Sequence, residues 1–234
     1  MNYKIDITQL EQAKVELGKW IEGDVTDMNC FYSICNSDKV TEYHIKGFTT
    51  FTRNYGISRN LKGITVDSKR ILVKEISDIL KSHKLINAVD IASVKFGILN
   101  SIITKTQSVL ENERNIISFA SKVCYITRPD LFFPYDDYVK RALDKIYPSW
   151  FYKDGYYKTL SDFISNNKKV ILEKALEVKV SGFDYSIVDY MKKYDGLKGS
   201  FNLEVFLINR LTDKYFWNIG SQIKAPKLPL IITN

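Results

Sequence analysis

The sequence predicts a mostly α-helical fold, a multi-helix bundle with two closely packed helical lobes. Three observations predict it. Apolar residues recur at three- and four-residue spacing along most of the chain, the period of an amphipathic helix. Gly (11) and Pro (5) are scarce among 234 residues, so long helices fit better than a sheet with many turns. No Asn-Gly or Asp-Gly turn joins alternating runs, since Asp154-Gly155 and Asp195-Gly196 lack strand-like flanks. With 45% hydrophobic and 13% aromatic residues, the chain is too apolar for disorder and large enough to bury a core.

Residues 7–21 read as a first helix, with Leu10, Ala13, Leu17 and Trp20 on one stripe, and residues 24–35 as a second around Met28, Phe31 and Tyr32. Residues 43–61 differ in character. Phe48, Phe51 and Tyr55 alternate with Lys46, Arg53 and Arg59, a mixture that suits stacking on bases and pairing with phosphates, or else a core face of aromatics with solvated cations opposite. Residues 66–80 carry the stripe Leu72, Ile76, Ile79 and Leu80, and residues 87–103 the stripe Val89, Ala92, Phe96 and Leu99. A polar connector is expected over 104–112. Residues 147–158 read as an aromatic loop, with Trp150, Phe151, Tyr152, Tyr156 and Tyr157 available to line a base pocket or to plug the core. Helices follow over 159–171, 183–193 and 202–212, then an extended, proline-containing tail over 223–234. The whole reads as a single domain, with candidate lobes 1–64 plus 159–234, and 65–158.

A net charge of +7 and a pI near 9.1 favour a polyanionic partner. Three cysteines, Cys30, Cys35 and Cys124, make no disulfide framework and fit a reduced, cytoplasmic setting. They lack companions at metal-ligand spacing, so no metal or other cofactor is expected. No apolar run approaches the roughly 20 residues of a membrane span. Histidine chemistry is limited to His44 and His83, neither in a nucleophile motif. Phosphate-binding GxxxxGK[ST], dinucleotide-binding GxGxxG and zinc-deaminase spacings are all missing.

The most specific stretch is residues 118–143, SFASKVCYITRPDLFFPYDDYVKRAL. A helix is expected over 114–127, with Ile116, Phe119, Ala120, Val123 and Cys124 on its buried face and Ser118, Ser121, Lys122 and Tyr125 opposite. Arg128-Pro129 ends it, because the residue before a proline leaves the helical region. Asp136 or Asp137 then caps a second helix with the stripe Val139, Ala142, Leu143 and Ile146. A lysine and a carboxylate thus flank one turn, with Lys140, Arg141 and Lys145 just beyond.

The segment SFASKVCYITRPDLFFPYD resembles a segment of the helix-hairpin-helix DNA glycosylases, the superfamily of 8-oxoguanine and endonuclease III-like enzymes. In that family a helix bearing a lysine leads, through a proline-containing turn, to a catalytic aspartate that opens another helix. Lys122 matches the lysine and Asp136 the aspartate. The family's glycine-rich hairpin is not visible, since Leu110-Glu111-Asn112-Glu113-Arg114 stands in its place, and the lysine-to-aspartate interval of 14 residues is shorter than the usual pattern.

The resemblance implies a monomeric enzyme acting on double-stranded DNA, without a cofactor, that cleaves the N-glycosidic bond of a damaged or modified base. Asp136 would be the essential carboxylate. Lys122 would be a Schiff-base nucleophile or a contact. Lys140, Arg141, Arg128, Arg53 and Arg59 would hold the DNA, and Trp150, Phe151, Tyr152 and Tyr125 would wall the base pocket. Repair, or defence against phage with modified DNA, would each fit. A non-catalytic nucleic-acid-binding module and a helical protein-interaction component stand as alternatives from other classes.

Overall fold

The structure is a computed structural model that describes residues 4–61, 63–85, 95–111, 116–147, 154–192 and 201–223. Among these the fold is a mostly α multi-helix bundle. In chain order the helices are α1 (Ile7–Asn36), α2 (Glu42–Asn54), α3 (Val66–Ser82), α4 (Lys95–Leu110), α5 (Ile117–Thr127), α6 (Asp137–Ile146), α7 (Asp154–Leu176), α8 (Ile187–Lys192) and α9 (Leu203–Ser221). No described helix is long and apolar enough to cross a membrane.

Caps set the starts as side-chain chemistry requires. Asp6, Thr65, Asp136 and Asn202 each accept a backbone N–H in the first turn of α1, α3, α6 and α9, satisfying donors that a helix leaves unpaired. At its far end α5 stops at Thr127, with Arg128 as C-cap just before Pro129.

Several boundaries differ from the sequence expectation, each for a packing reason. The two expected N-terminal helices are one, α1, about 45 Å long at the usual rise. Asp24 and Asp27, near the expected boundary, are buried on its inner face. Residues 104–110 extend α4 rather than forming a connector, and Thr106 bonds its hydroxyl back to the Ile102 carbonyl. Residues 154–158 belong to α7, not to a loop. Tyr156 there is fully buried and donates to the Pro134 carbonyl. Phe48 and Phe51 lie in the core against Phe31 and Phe119, so the segment around them is a packed helix rather than a stacking platform. The expected tail beyond 223 lies outside the described residues.

Two helices organise the rest. α1 touches α2, α3, α5, α7, α8 and α9, while α9 packs on α1, α6 and α7. Every residue of α9 from 206 to 216 is buried. A helix buried all round has no wet face, so a charged residue on it either finds a partner inside the fold or is left unanswered.

α9 and α6 come unusually close. A Cβ on Gly220 would overlap the carbonyl of Tyr138 at the first turn of α6. Gly220→Ala is therefore expected to push α6 away and to cost about 2 kcal/mol, the scale of overpacking in a fitted interior. Urea unfolding checks it, and an unchanged midpoint would show that the two helices separate freely.

Candidate functional site

The turn between α5 and α6 is fixed from three directions. Ser121 Oγ on α5 accepts the Tyr135 N–H at 2.8 Å. Tyr156 Oη on α7 donates to the Pro134 carbonyl at 2.6 Å, and Tyr157 Oη to that of Phe133 at 3.2 Å. Phe132 fills the core beneath. The carboxylate that follows therefore has a defined position.

That carboxylate is Asp136. Its Oδ1 accepts the Tyr138 N–H at 2.9 Å and caps α6, while Oδ2 accepts from Lys122 Nζ at 3.2 Å. The Lys122 ammonium has a second acceptor, the Tyr55 carbonyl at the end of α2, at 3.3 Å. Asp137 is the exposed first residue of α6, so the cap and the lysine contact both fall to Asp136. Lys122 itself is only 6% exposed, and Ser121 and Tyr125 are buried too. This corrects the expectation of a wet face on α5.

Lys122 and Asp136 open onto a cleft of about 650 Å³. α6 lines it with Asp137, Tyr138, Lys140 and Arg141, and α9 with Arg210, Asp213, Lys214 and Trp217. Trp20 of α1, Asn54, Tyr55 and Tyr135 complete its walls. Among the lining residues five cations face three carboxylates, and five aromatic side chains stand between them.

Behind one wall lies a buried charge network. Arg210 grips Asp24 with two bonds, Nε to Oδ2 at 2.6 Å and Nη2 to Oδ1 at 2.8 Å, and bonds Asp213 through Nη1 at 2.5 Å. Tyr55 Oη donates to Asp24 at 2.7 Å, and burial holds this phenol well above its usual pKa. The guanidinium also lies over the rings of Tyr125 and Tyr55, at 5.4 and 5.9 Å. Lys214, one turn beyond Arg210, sits with its ammonium 4.3 Å from the ring centroid of Trp20 and 5.5 Å from that of Trp217. Burial, reinforced by Arg210, brings its pKa down to about 8.

Next to this network, Asp27 accepts from Asn54 Nδ2 at 3.2 Å, and burial pushes its carboxyl up to about 7. Between its ordinary value near 3.8 and about 7, the folded chain holds a proton that the unfolded chain has lost. Stability from this group is thus full at low pH and falls as pH rises through about 7. Asp27→Asn is expected to remove that fall and to raise the unfolding free energy at about pH 8 by about 2 kcal/mol, with little gain at about pH 4. Urea titrations at the two pH values test it; an equal change at both would rule out titration as the cause.

The structure thus brings four of the sequence-predicted residues, Lys122, Asp136, Lys140 and Arg141, to one cleft. It places three others elsewhere. Arg128 is buried, paired through Nε with Asp130 at 2.9 Å and bonded to the Leu85 carbonyl, so it fastens the α5 terminus and is not free for DNA. Tyr125 is fully buried behind Arg210 and does not line the cleft. Arg53 is exposed near the end of α2, away from the lining. Trp150, Phe151 and Tyr152, and the side chain of Arg59, lie outside the described residues.

Sequence reasoning missed Trp20, Asp24, Arg210, Asp213, Lys214 and Trp217. A signal existed in α9, where Arg210, Asp213 and Lys214 sit between Leu207, Leu211, Tyr215 and Phe216 without a polar stripe to carry them. Among the described residues no group of three or more His, Cys, Asp or Glu side chains could hold a metal ion. Comparison of the chain with protein-family models, with curated proteins and with solved structures gives no match.

Proposed function

We propose that this protein is a DNA N-glycosylase that hydrolyses the bond between deoxyribose and a damaged or modified base, with Asp136 as its essential carboxylate. The observation that carries the reading is the Lys122–Asp136 pair at the head of α6, opening onto an aromatic-walled cleft with more cations than carboxylates. Leaving of the base builds positive charge at C1′, which a fixed carboxylate stabilises most when water is largely excluded. The cap bond to the Tyr138 N–H holds Asp136 in place at the cleft.

Water is the nucleophile in this reading. Its oxygen bonds to C1′ as the C1′–N bond breaks, and its proton ends on the departing base. Lys122, held by Asp136 and by the Tyr55 carbonyl, orients the carboxylate rather than attacking the sugar. Tyr55, Tyr135, Tyr138, Trp20 and Trp217 offer faces for an extruded base. Lys140 and Arg141, at the partly open side of α6, take backbone phosphates.

An abasic-site assay tests this. The protein is incubated with duplexes and phage genomes carrying normal, oxidised, alkylated and bulky modified bases, and abasic sites are scored by alkaline cleavage. Release from one class of base identifies the substrate. No release from any, together with DNA binding that weakens steeply with salt, would replace the enzyme reading by a non-catalytic binder. No release and no DNA binding would favour a protein partner.

A further inference from the structure

Each buried cation at the cleft has acceptors within bonding distance, with one exception. Arg210 spends its guanidinium on Asp24 and Asp213. Lys122 has the Asp136 carboxylate and a carbonyl. Lys214 is as deeply buried, 5% exposed, yet among the described residues its ammonium makes no hydrogen bond and no ion pair. An ammonium carries three N–H donors. The indole faces of Trp20 and Trp217 attract its charge but do not take those donors as an oxygen would. Asp213, its neighbour on α9, is committed to Arg210.

We propose that Lys214, held between two indoles on the cleft wall, is the receptor for a phosphate group of the ligand. A phosphate supplies what the niche lacks, negative charge and several acceptor oxygens. It would also relieve the repulsion between Lys214 and Arg210. The surrounding chemistry selects phosphate over a simple carboxylate. Lys140 and Arg141 continue the positive charge along the cleft, and aromatic faces beside it suit the attached base. In a DNA glycosylase the group is a phosphodiester flanking the extruded nucleotide, and in that choice the inference rests on the proposed function. The terminal phosphate of a free nucleotide has the same chemistry.

Lys214 also gives the interaction a pH signature. The charged groups acting on it are Arg210 and Asp213 from α9 and Asp24 and Glu16 from α1, and across the cleft stand Lys122, Asp136, Asp137, Lys140 and Arg141. With its pKa near 8, the free protein loses the ammonium as pH rises through that value, and affinity for an anion falls with it. An arginine at the same place stays charged throughout.

Binding of pyrophosphate, of a deoxynucleoside 5′-monophosphate and of duplex DNA with a tetrahydrofuran abasic analogue is measured between about pH 6.5 and 9.5. The proteins are the wild type, Lys214→Arg and Lys214→Gln, each checked for helicity by circular dichroism. Lys214→Gln is expected to weaken binding at least about tenfold, and Lys214→Arg to keep it within about threefold. Wild-type affinity is expected to fall above about pH 8 while that of Lys214→Arg stays level. Loss confined to DNA identifies the phosphodiester as the ligand group; loss that extends to the mononucleotide identifies a terminal phosphate. Equal affinity of Lys214→Gln and wild type, or no binding of any of the three probes, would overturn the proposal. So would a borohydride-trapped adduct on abasic DNA that Lys214→Arg fails to form, since Lys214 would then be a nucleophile. Phosphate binding through Lys214 without base release sinks the glycosylase reading alone, and base release with Lys214-independent binding sinks this one alone.

Discussion

Asp136→Asn is expected to lower single-turnover base release by a factor of about 10²–10³, some 3–4 kcal/mol of transition-state stabilisation, the scale for removing one fixed electrostatic group from a catalytic site. The substitution isolates charge from structure. Asparagine caps a helix about as well as aspartate, so the Tyr138 N–H keeps its acceptor. Lys122 loses a charged partner but keeps the Tyr55 carbonyl, so the folding cost should be about 1 kcal/mol. DNA affinity should hold or rise, because a negative charge leaves a cleft proposed to bind a polyanion. Asp137→Asn is the matched control: it removes the same charge one residue away, from an exposed position without a lysine contact. If Asp136→Asn releases base at a rate within threefold of wild type, the carboxylate is only a cap.

Arg210→Met should cost about 3–5 kcal/mol of folding stability, the range seen when one partner of a buried pair is removed. Methionine fills much of the same volume, so the loss reports charge rather than a cavity. Asp24 and Asp213, at 1% and 5% exposure, would be left buried without the guanidinium. Asp213, whose carboxyl burial already pushes up against the pull of Arg210, should then bind a proton more readily still, so the deficit should be deepest near about pH 8 and shrink toward about pH 5. Adding Asp24→Asn to Arg210→Met should recover part of the loss, since the second change removes a stranded charge. Urea titrations of the single and double variants read both effects. A deficit below about 1 kcal/mol at pH 8 would mean that water reaches the network in the folded protein.

The helical class was legible because it depends on a repeating signal, apolar residues at three- and four-residue spacing, which survives errors at any one position. Lys122 and Asp136 were legible because both lie within two turns of a local break that a proline announces. Their common cleft was not, because its other wall comes from Trp20 on α1 and Arg210, Lys214 and Trp217 on α9, with Asp24 of α1 behind it. Nothing in residues 20–24 says that an arginine nearly two hundred positions later will meet them. Tyr125 and Arg128 misled for a related reason. On an isolated amphipathic helix their positions face water, but α5 is covered on more than one side, and a tyrosine or an arginine can be core if its polar end finds company. The N-terminal helix reads as two, over 7–21 and 24–35, because each stretch carries its own apolar cluster with Glu22-Gly23 between. In the fold Asp24 is answered from α9, which leaves α1 no reason to end.

The contact between Asp24 and Arg210 spans 186 residues of sequence. During translation at about 5–20 residues per second, the arginine is made roughly 10–40 s after the aspartate it neutralises. Until then the first helix carries its carboxylate in water, and the wall bearing Trp20 faces no opposite side. A nascent chain that has not reached α9 can present Lys122 and Asp136 side by side yet has no enclosed place to put a ligand. In the proposed reading, substrate capture is therefore reserved for chains that have been read through α9, and an interrupted product lacks the walls of the site rather than being a loose catalyst.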